Sequence, residues 1–430
     1  MRAGFAKISI TPPIGTRMQG IGERDLFSPC TSIHDDIYVR ALYTEHEGEA
    51  ALIMSFDLCF IGRRQSDRFK GSIARRLELL PRQILLSATH SHVSPVADNY
   101  LTGNYQPVDQ LYMDAMEKAV VLAAITAHGN AREATMSAGE GRSRLPMNRR
   151  RPVEGGTDNA PNPDGKVIET MPVCLFKDEG GKPFALLYSI AAHPSLMRGY
   201  AISAEFCGTA CDVLDEYLGC EGSLFLQGTA GDSKPSTIAL ETSWNWGPSW
   251  EIMEETGRIL AREVIGLVED GLQPVAPQIH SAITETHWPL QPAPERGYFE
   301  KEAAEGRGPM RREWAAWNLE CLDKYGQLPS TAPIHVQGIQ LGDGLRLVGV
   351  EGEPVSAYGE MIKDAFGSGT TFPLGYANGE GMYLVTSEML PQGGMEVTSY
   401  WEYNFPSRLA PGMETSLEQG IAELRRLGIE

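Results

Sequence analysis

Apolar segments that each end at polar residues are the feature of this chain that most restricts its fold. Residues 50–62, 82–89 and 183–194 are rich in β-branched and other apolar side chains. Residues 65–80, between the first two segments, have the apolar spacing of an amphipathic helix. A strand, a helix and a second strand in this order indicate a βαβ unit in a sheet with covered faces. We therefore predict an α/β fold with a central mixed β-sheet covered by helices on both faces.

Two later segments repeat the pattern. Residues 223–235 run from an apolar stretch into a glycine-rich turn, and residues 346–354 end at two glutamates. In open α/β sheets, ligands bind at the carboxyl ends of the strands. We therefore expect one shared site that combines titratable side chains from four strand ends: His90, His92, His193, Asp232, Lys234 and Glu353.

Other stretches predict the remaining organisation. Residues 108–128 have the spacing of a strong amphipathic helix, whereas residues 141–166 are rich in Pro, Gly, Asn and Arg and indicate a long loop near the site. Residues 286–330 combine Pro and Trp with a charged helical pattern, which suggests an insertion or lid. We expect it to belong to a single domain of residues 1–430.

Composition excludes several classes of function. Hydrophobic residues make up 42% of the 430 residues and charged residues 22%, as in ordinary globular proteins. The formal net charge of −19 disfavours nucleic acids and anionic membranes as partners, and the basic run at 149–152 is too short to change this. Seven cysteines without a C-x-x-C pair argue against a disulfide scaffold.

The expected partner is a small-molecule substrate. Polar residues interrupt each apolar run before it reaches membrane-spanning length, so we expect no stable membrane insertion. The first residues lack the pattern of a signal peptide, which predicts a cytoplasmic protein. The sequence leaves the oligomeric state open, a homo-oligomer included.

The histidines at strand ends suggest a metal site. A catalytic zinc site uses His, Cys, Asp, Glu or Tyr ligands and leaves room for water or substrate. Side chains at positions i and i+2 of an extended segment point in opposite directions, so we expect one of His90 and His92 to bind metal and the other to face the substrate. H-x-H is a weak motif, and a pair of polar loop residues is the alternative interpretation.

Several segments, taken together and in order, resemble the neutral/alkaline ceramidase family. The opening segments GFAKISITPP and IHDDIYVRAL resemble that family's first segments, and SATHSHVSP resembles its T-H-T-H-S-G-P segment. Further likenesses are NRRRP with NPDG, SIAAHPSLM with ISAEFCGTA, FLQGTAGDSKP, VGVEGEP and YANGEGMYLVTSEM. The segments extend through nearly the whole chain, so their order is more specific than any one of them.

The resemblance implies one zinc ion per chain, although other divalent transition metals suit the same ligands. The implied zinc ligands are His90, His193, Glu353 and Tyr383. His92 would lie beside the metal and face the substrate. Tyr376 is the competitor of Tyr383 for the fourth position.

The chain departs from the family in the G-D-V-S-P turn. The family's serine position is occupied by Lys234, and Ser233 is one place away. Lys234 could serve as a cationic clamp, an oxyanion stabiliser, a general acid or base, or a plain salt-bridge partner, with Asp232 orienting it. The family's C-terminal immunoglobulin-like domain has no counterpart in the sequence, so we expect a small polar substrate in place of ceramide.

These observations lead to one main hypothesis and two alternatives. The main hypothesis is a zinc-dependent hydrolase in which metal-activated water attacks an amide (N-acyl) bond, with His92, Lys234 and Asp232 as catalytic residues. The first alternative is a metal-dependent hydrolase or lyase that cleaves a sugar or uronic-acid derivative, and the second is a non-catalytic ligand-binding relative. The expected substrate-binding residues are Asn148, Arg149, Arg150, Ser233 and Trp246.

Overall fold

The computed structural model describes residues 1–20, 28–97 and 108–430. The α-helices within these ranges are α1 (Arg63–Leu77), α2 (Gln110–Gly129), α3 (Glu205–Leu218), α4 (Trp250–Gly271), α5 (Arg296–Glu305), α6 (Pro309–Tyr325), α7 (Ser356–Phe366), α8 (Met395–Thr398) and α9 (Met413–Arg426). Short 3₁₀ turns occur at Pro81–Gln83, Ser236–Ile238, Ser387–Gln392 and Ser399–Tyr403.

The strands up to the middle of the chain are β1 (Arg2–Ser9), β2 (Met18–Gln19), β3 (Ser32–Ile33), β4 (Tyr38–His46), β5 (Glu49–Phe56), β6 (Ile84–Ala88), β7 (Ser94–Pro95), β8 (Arg132–Arg142), β9 (Pro146–Val153), β10 (Gly156–Asn162), β11 (Thr170–Asp178) and β12 (Pro183–Ile190). Those that follow are β13 (Ala201–Ile202), β14 (Gly222–Gln227), β15 (Ser233–Pro235), β16 (Gln273–Val275), β17 (Pro277–Pro289), β18 (Thr331–Gly342), β19 (Leu345–Val350), β20 (Glu353–Pro354), β21 (Thr370–Leu374) and β22 (Tyr383–Leu384).

Two mixed sheets form the centre of the molecule. The larger has the order β14-β12-β11-β8-β1-β4-β5-β6, with β16 also paired to β8, and the smaller has the order β17-β18-β19-β21. Neighbouring strands are antiparallel except β12 with β14, β5 with β6, and β19 with β21. Each parallel pair follows a helical crossover, as connections between parallel strands require.

The sheets pack face to face, and alternation along each strand explains why. In β5, Leu52 and Met54 point to the helices on one side, while Ile53 points to the core shared with the smaller sheet. Leu347 and Phe372 enter that shared core from the smaller sheet. Both faces of β5 are therefore apolar, which accounts for its continuous hydrophobic sequence.

Helices cover the outer faces of the two sheets. The helices α1, α2, α3 and α4 pack on the larger sheet, and α7 and α9 pack on the smaller one. The Asp109 carboxylate caps α2 by accepting hydrogen bonds from the backbone N–H groups of Leu111 and Tyr112. The predicted α/β class with a large mixed sheet and helices is confirmed, and the helices enclose a pair of sheets.

Residues 146–162 differ from the prediction of a long loop. They form the hairpin of β9 and β10, and β15 pairs with β9 on its other side. Polar side chains and prolines disguise these strands, because β9 lies beside the site and directs Asn148, Arg149 and Arg150 into a buried polar network. Because these polar side chains take the place of alternating apolar ones, the sequence lacked the pattern that predicts a strand.

The helices α5 and α6 lie between the paired strands β17 and β18, where the sequence predicted an insertion or lid. They have a small core of their own, formed by Phe299, Trp314 and Ala315. Among the described residues, no helix is both long and apolar enough to cross a lipid bilayer.

Candidate active site and metal centre

The expected strand ends meet in one buried region. His90 follows β6, at one edge of the larger sheet, and His193 follows β12, which is second from the other edge. Glu353 starts β20, which pairs in parallel with β22 so that Glu353 lies opposite Tyr383. Segments that follow both sheets therefore bring together candidate ligands that are separated by more than a hundred positions in the sequence.

The backbone at two site residues adopts an uncommon conformation. His90 has a φ of 72° and Tyr376 a φ of 54°, although neither is a glycine. Backbone hydrogen bonds hold His90 in place, since its N–H donates to the Leu58 carbonyl over 2.8 Å. Left-handed backbone at non-glycine residues costs about 1–3 kcal/mol and concentrates at functional sites.

Backbone carbonyls determine the tautomers of two histidines. Nδ1 of His90 lies 2.6 Å from the Cys59 carbonyl oxygen, and Nδ1 of His193 lies 3.3 Å from the carbonyl oxygen of Ala230. A carbonyl oxygen only accepts, so each Nδ1 carries the proton and each Nε2 presents a lone pair. The two Nε2 atoms lie 2.9 Å apart, so both lone pairs point into the same small space.

Glu353 adds a third acceptor to that space. Its Oε2 atom lies 3.4 Å from Nε2 of His90 and 3.8 Å from Nε2 of His193. Burial acts to raise the pKa of Glu353, but the hydrogen bond from Tyr403 and the charge of Arg149 help to hold it below its ordinary value. Two imidazole lone pairs and a carboxylate without a proton between them fit a divalent cation. In zinc sites, a backbone carbonyl typically accepts a hydrogen bond from the other ring nitrogen of a ligating histidine.

His92 lies at the edge of the same group. Its Nε2 is 3.1 Å from Nε2 of His90, and its side chain is only half-buried. Gly20 packs against it so closely that a Cβ at this glycine would lie 2.7 Å from the His92 Cα. Burial, followed by the nearby charges of His90 and Lys234, lowers the pKa of His92 well below its usual range.

Three tyrosines surround Glu353. The Tyr376 hydroxyl donates to Glu353 Oε2 over 3.3 Å, and the Tyr403 hydroxyl donates to Oε1. Tyr383 lies opposite Glu353 and also interacts with it. Burial and then the charge of Glu353 raise the pKa of each phenol well above its usual range. Tyr376 and Tyr383 both lie beside Glu353, and which of them would be the fourth metal ligand stays a prediction.

The two arginines of β9 share one acid. Nε of Arg149 donates to Glu396 Oε1 over 2.9 Å, and Nη1 of Arg150 donates to Glu396 Oε2 over 2.6 Å. The other terminal nitrogen of Arg150 donates to the Gly393 carbonyl over 2.8 Å. The Arg149 guanidinium also lies 5.3 Å from the Tyr383 ring centroid. Arg149 therefore adjoins the candidate ligands, while both terminal nitrogens of Arg150 are engaged by the protein.

The turn that contains Asp232 is joined to the segment that contains Glu353. Asp232 Oδ1 accepts hydrogen bonds from the Ser356 N–H and hydroxyl over 2.8 and 2.7 Å. A Cβ at Gly231 would lie 2.6 Å from the Glu353 carbonyl oxygen, so only glycine allows this approach. Asp232 thus bonds to the first turn of α7 and fixes the position of the neighbouring β20.

Two other expected substrate-binding residues bond to the protein itself. The Ser233 hydroxyl donates to the Ala191 carbonyl over 2.5 Å. The Asn148 side chain donates to the Lys166 carbonyl over 3.0 Å and accepts from the Arg150 N–H over 2.9 Å. Both side chains help to hold the turn and the hairpin that border the site.

Lys234 lies on β15, opposite Met147 of β9. Its Nζ is 3.5 Å from the ring centroid of Trp246 and 5.9 Å from that of Trp244. Burial, followed by the charge of Arg149, lowers the pKa of the Lys234 amine well below its usual range. The charge of Lys234 also contributes to lowering the pKa of His92 and of His193.

Sequence reasoning missed two residues of this region. Tyr403 donates to Glu353, and Glu396 holds Arg149 and Arg150, yet neither lies at a strand end. Both belong to short helical turns near residues 395–403, for which the sequence shows neither strand nor helix periodicity. A tyrosine and a glutamate in an aromatic-rich segment were the only available signals.

Comparisons with known proteins relate the fold to two solved structures. The crystal structure of neutral ceramidase from Pseudomonas aeruginosa matches with a TM-score of 0.74 and 17% sequence identity, over 100% of this chain and 75% of that chain. A ceramidase complexed with C2 matches with a TM-score of 0.75 and 17% identity, over 100% of this chain and 76% of that chain. No family model and no curated protein matches the sequence. The resemblance found in the sequence is therefore confirmed at the level of the fold.

Proposed function

We propose that this chain is a metal-dependent hydrolase that cleaves an amide (N-acyl) bond in a small polar substrate. The observation that carries the proposal is the convergence of the Nε2 lone pairs of His90 and His193 with the Glu353 carboxylate. Three buried acceptors in one space destabilise the protein unless a cation joins them. The fold shared with ceramidases, which cleave an amide, supports the choice of bond.

We assign His90, His193 and Glu353 as metal ligands, with Tyr383 as the fourth and zinc as the expected ion. A zinc ion bound by such ligands supplies Lewis-acid polarisation and lowers the pKa of water toward neutrality. Tyr376 and Tyr403 donate hydrogen bonds to Glu353 and keep its carboxylate oriented.

The other side chains have substrate-side and positioning roles in this proposal. His92, half-buried at the edge of the cluster, hydrogen-bonds the scissile group and exchanges protons with it. Lys234 interacts with the charged part of the substrate or of the reacting group. Asp232 positions the Glu353 segment through Ser356, and Arg150 positions Arg149 through Glu396.

Metal analysis combined with a ligand variant tests the proposal. The purified protein should contain about one equivalent of zinc per chain, and His90→Ala should lose the metal together with hydrolysis of short-chain N-acyl amides. His287→Ala is the matched control, because this histidine lies on β17 with an exposed side chain. A metal-free protein that hydrolyses N-acyl amides at the full rate would contradict the proposal.

The glycan-cleaving alternative has a separate readout in the same assay. Its sequence argument relied on the Trp-rich stretch as a platform for a sugar ring. The Trp246 ring is already contacted by Lys234 and by the Arg198 guanidinium, at 3.5 and 4.3 Å from its centroid. We therefore favour the amide substrate, and cleavage of aryl glycosides or uronic-acid derivatives in place of N-acyl amides would reverse this choice.

A further inference from the structure

The insertion formed by α5 and α6 contacts a turn that leads to the candidate metal centre. Tyr400 and Trp401, in the 3₁₀ turn Ser399–Tyr403, pack against the small core of the insertion. Trp314 of α6 is completely buried in that core, and its ring centroid lies 6.2 Å from that of Tyr400. The buried face of α6 therefore covers the turn that ends at Tyr403.

Two further contacts attach α6 to this turn. The indole N–H of Trp314 donates a hydrogen bond to the Phe405 carbonyl over 2.8 Å. The Arg311 guanidinium lies over two aromatic rings, 4.2 Å from the centroid of Trp314 and 5.2 Å from that of Trp401. A buried indole N–H needs an acceptor, and an aromatic face attracts a cation, so both contacts favour one position of the turn.

Backbone and side-chain hydrogen bonds restrict the turn on both sides of Tyr403. The Phe405 N–H donates to the Tyr400 carbonyl over 3.2 Å and closes the turn around Tyr403. Further along the chain, the Ser407 hydroxyl donates to the carbonyl of Gln291, which precedes α5, over 2.6 Å. The segment that carries Tyr403 is therefore attached at both ends to the insertion and its first connection.

Tyr403 connects the turn to the candidate ligands. Its side chain is buried, and its hydroxyl donates to Oε1 of Glu353. The other carboxylate oxygen of Glu353, Oε2, lies 3.4 Å from Nε2 of His90. Hydrogen bonds of this kind orient metal ligands, so a displacement of the turn would change the orientation of the Glu353 carboxylate.

We propose that the insertion is a positioning element of the metal centre: Trp314 fixes the turn, and Tyr403 on that turn orients Glu353. The inference rests on the proposed function, which assigns Glu353 as a metal ligand. Trp314 is a positioning residue here, because it acts through Tyr403. This role differs from that of a lid over the substrate, because it affects metal affinity when no substrate is present.

Two tryptophans of the same helix provide a matched test. Trp314→Phe removes the hydrogen bond to Phe405 and keeps an aromatic ring, and it should raise the zinc dissociation constant about three- to tenfold in a competition titration with a chelator. Trp317 is 42% exposed, and Trp317→Phe should leave the constant within about twofold. Equal zinc affinity of the two variants would overturn the proposal.

A double-mutant cycle separates the proposed route from a general loss of structure. In Tyr403→Phe, the hydroxyl that reaches Glu353 is already missing. Adding Trp314→Phe to this variant should therefore change its zinc affinity by less than about twofold. If the two substitutions weaken zinc binding independently, so that their fold-changes multiply, Trp314 acts by another route and the proposal is wrong.

A pair of arginine substitutions serves if Trp314→Phe does not fold. Arg311→Gln removes the cation from the rings of Trp314 and Trp401, and it should also weaken zinc binding. The neighbouring Arg312 donates to the Gly306 carbonyl within the insertion, so Arg312→Gln should leave zinc binding unchanged. A folded Arg311→Gln protein with the zinc affinity of the wild type would contradict the proposal.

The zinc content of the wild type distinguishes this inference from the proposed function. A wild-type protein that binds no zinc contradicts the proposed function. Hydrogen-exchange mass spectrometry of residues 399–408 in the metal-free protein then tests the hold of the insertion on the turn. Faster exchange in Trp314→Phe than in Trp317→Phe supports that hold, and equal exchange overturns it.

Discussion

The two sides of the candidate site are electrostatic opposites. On one side, His90, His193 and Glu353 direct three acceptor atoms at one another without a proton between them. On the other side, Lys234 is a donor whose direct contacts are aromatic rings. Elsewhere in the described core, a buried pair such as Arg40 and Asp57 bonds directly over 2.6 Å. Buried polar groups that no partner within residues 1–20, 28–97 and 108–430 neutralises are candidates for ligand contacts.

In the proposed function, the acceptor side holds the metal and the amine side contacts the substrate. Variants that change one side at a time test this difference.

Neutralising the acid on the acceptor side has the largest expected effect. Glu353→Gln keeps the shape of the side chain but removes the negative charge that offsets a bound cation. We expect zinc content to fall to a small fraction of an equivalent and kcat/KM for an N-acyl amide to fall on the order of 10³-fold. Glu300→Gln, on the exposed part of α5, is the control. Full zinc occupancy in Glu353→Gln would contradict the assignment of Glu353 as a metal ligand.

Removing a hydroxyl behind Glu353 has an intermediate effect. Tyr403→Phe deletes the hydrogen bond to Glu353 Oε1 and leaves the ring in its packing position. Loss of such a supporting contact typically weakens metal binding by about 10–100-fold. A competition titration with a zinc chelator measures the change, and Tyr325→Phe on the exposed end of α6 is the control. An unchanged zinc affinity would limit Tyr403 to a packing role.

Removing the Lys234 amine has the smallest expected effect. This substitution should raise the stability of the protein, whereas the two substitutions above should weaken metal binding. The pKa of Lys234 is lower in the folded state than in the unfolded state, because burial and the charges of Arg149 and Arg198 outweigh Glu205. At a pH between the two pKa values, the unfolded chain holds a proton on Lys234 that the folded chain has lost. The free energy of unfolding of the wild type therefore rises with pH across this range. Lys234→Met should therefore stabilise the protein by about 1 kcal/mol near pH 7.

That gain should shrink as pH rises toward the ordinary lysine pKa of about 10.4. Thermal or urea unfolding at about pH 7 and about pH 10 measures it, with the exposed Lys182→Met as the control. A loss of stability in Lys234→Met at the lower pH would mean that the amine has a partner in the folded protein, and the contrast between the two sides would then disappear.

How much of the site was predictable depended on where each residue lies in the fold. His90, His193 and Glu353 follow apolar strands, and because ligands bind at the carboxyl ends of strands in open α/β sheets, the sequence alone predicts that they share one site. Tyr403 and Glu396 lie in short turns without a periodic pattern, so no local signal connected them to the site. The hairpin at 146–162 was missed for a related reason, since its buried polar residues removed the alternation that predicts strands.

The amino-acid sequence by itself determined the α/β class, the apolar strands and the set of polar residues at their ends, because these depend on periodicity and on neighbours in the chain. The division of the strands between two packed sheets, the tyrosines that reach Glu353 and the contact of Lys234 with Trp246 depend on the tertiary structure. The physical reason is that packing and electrostatic complementarity act between residues far apart in sequence. The amino-acid type determines which charge a side chain can carry. Its neighbours in the folded protein determine whether an opposite charge balances it.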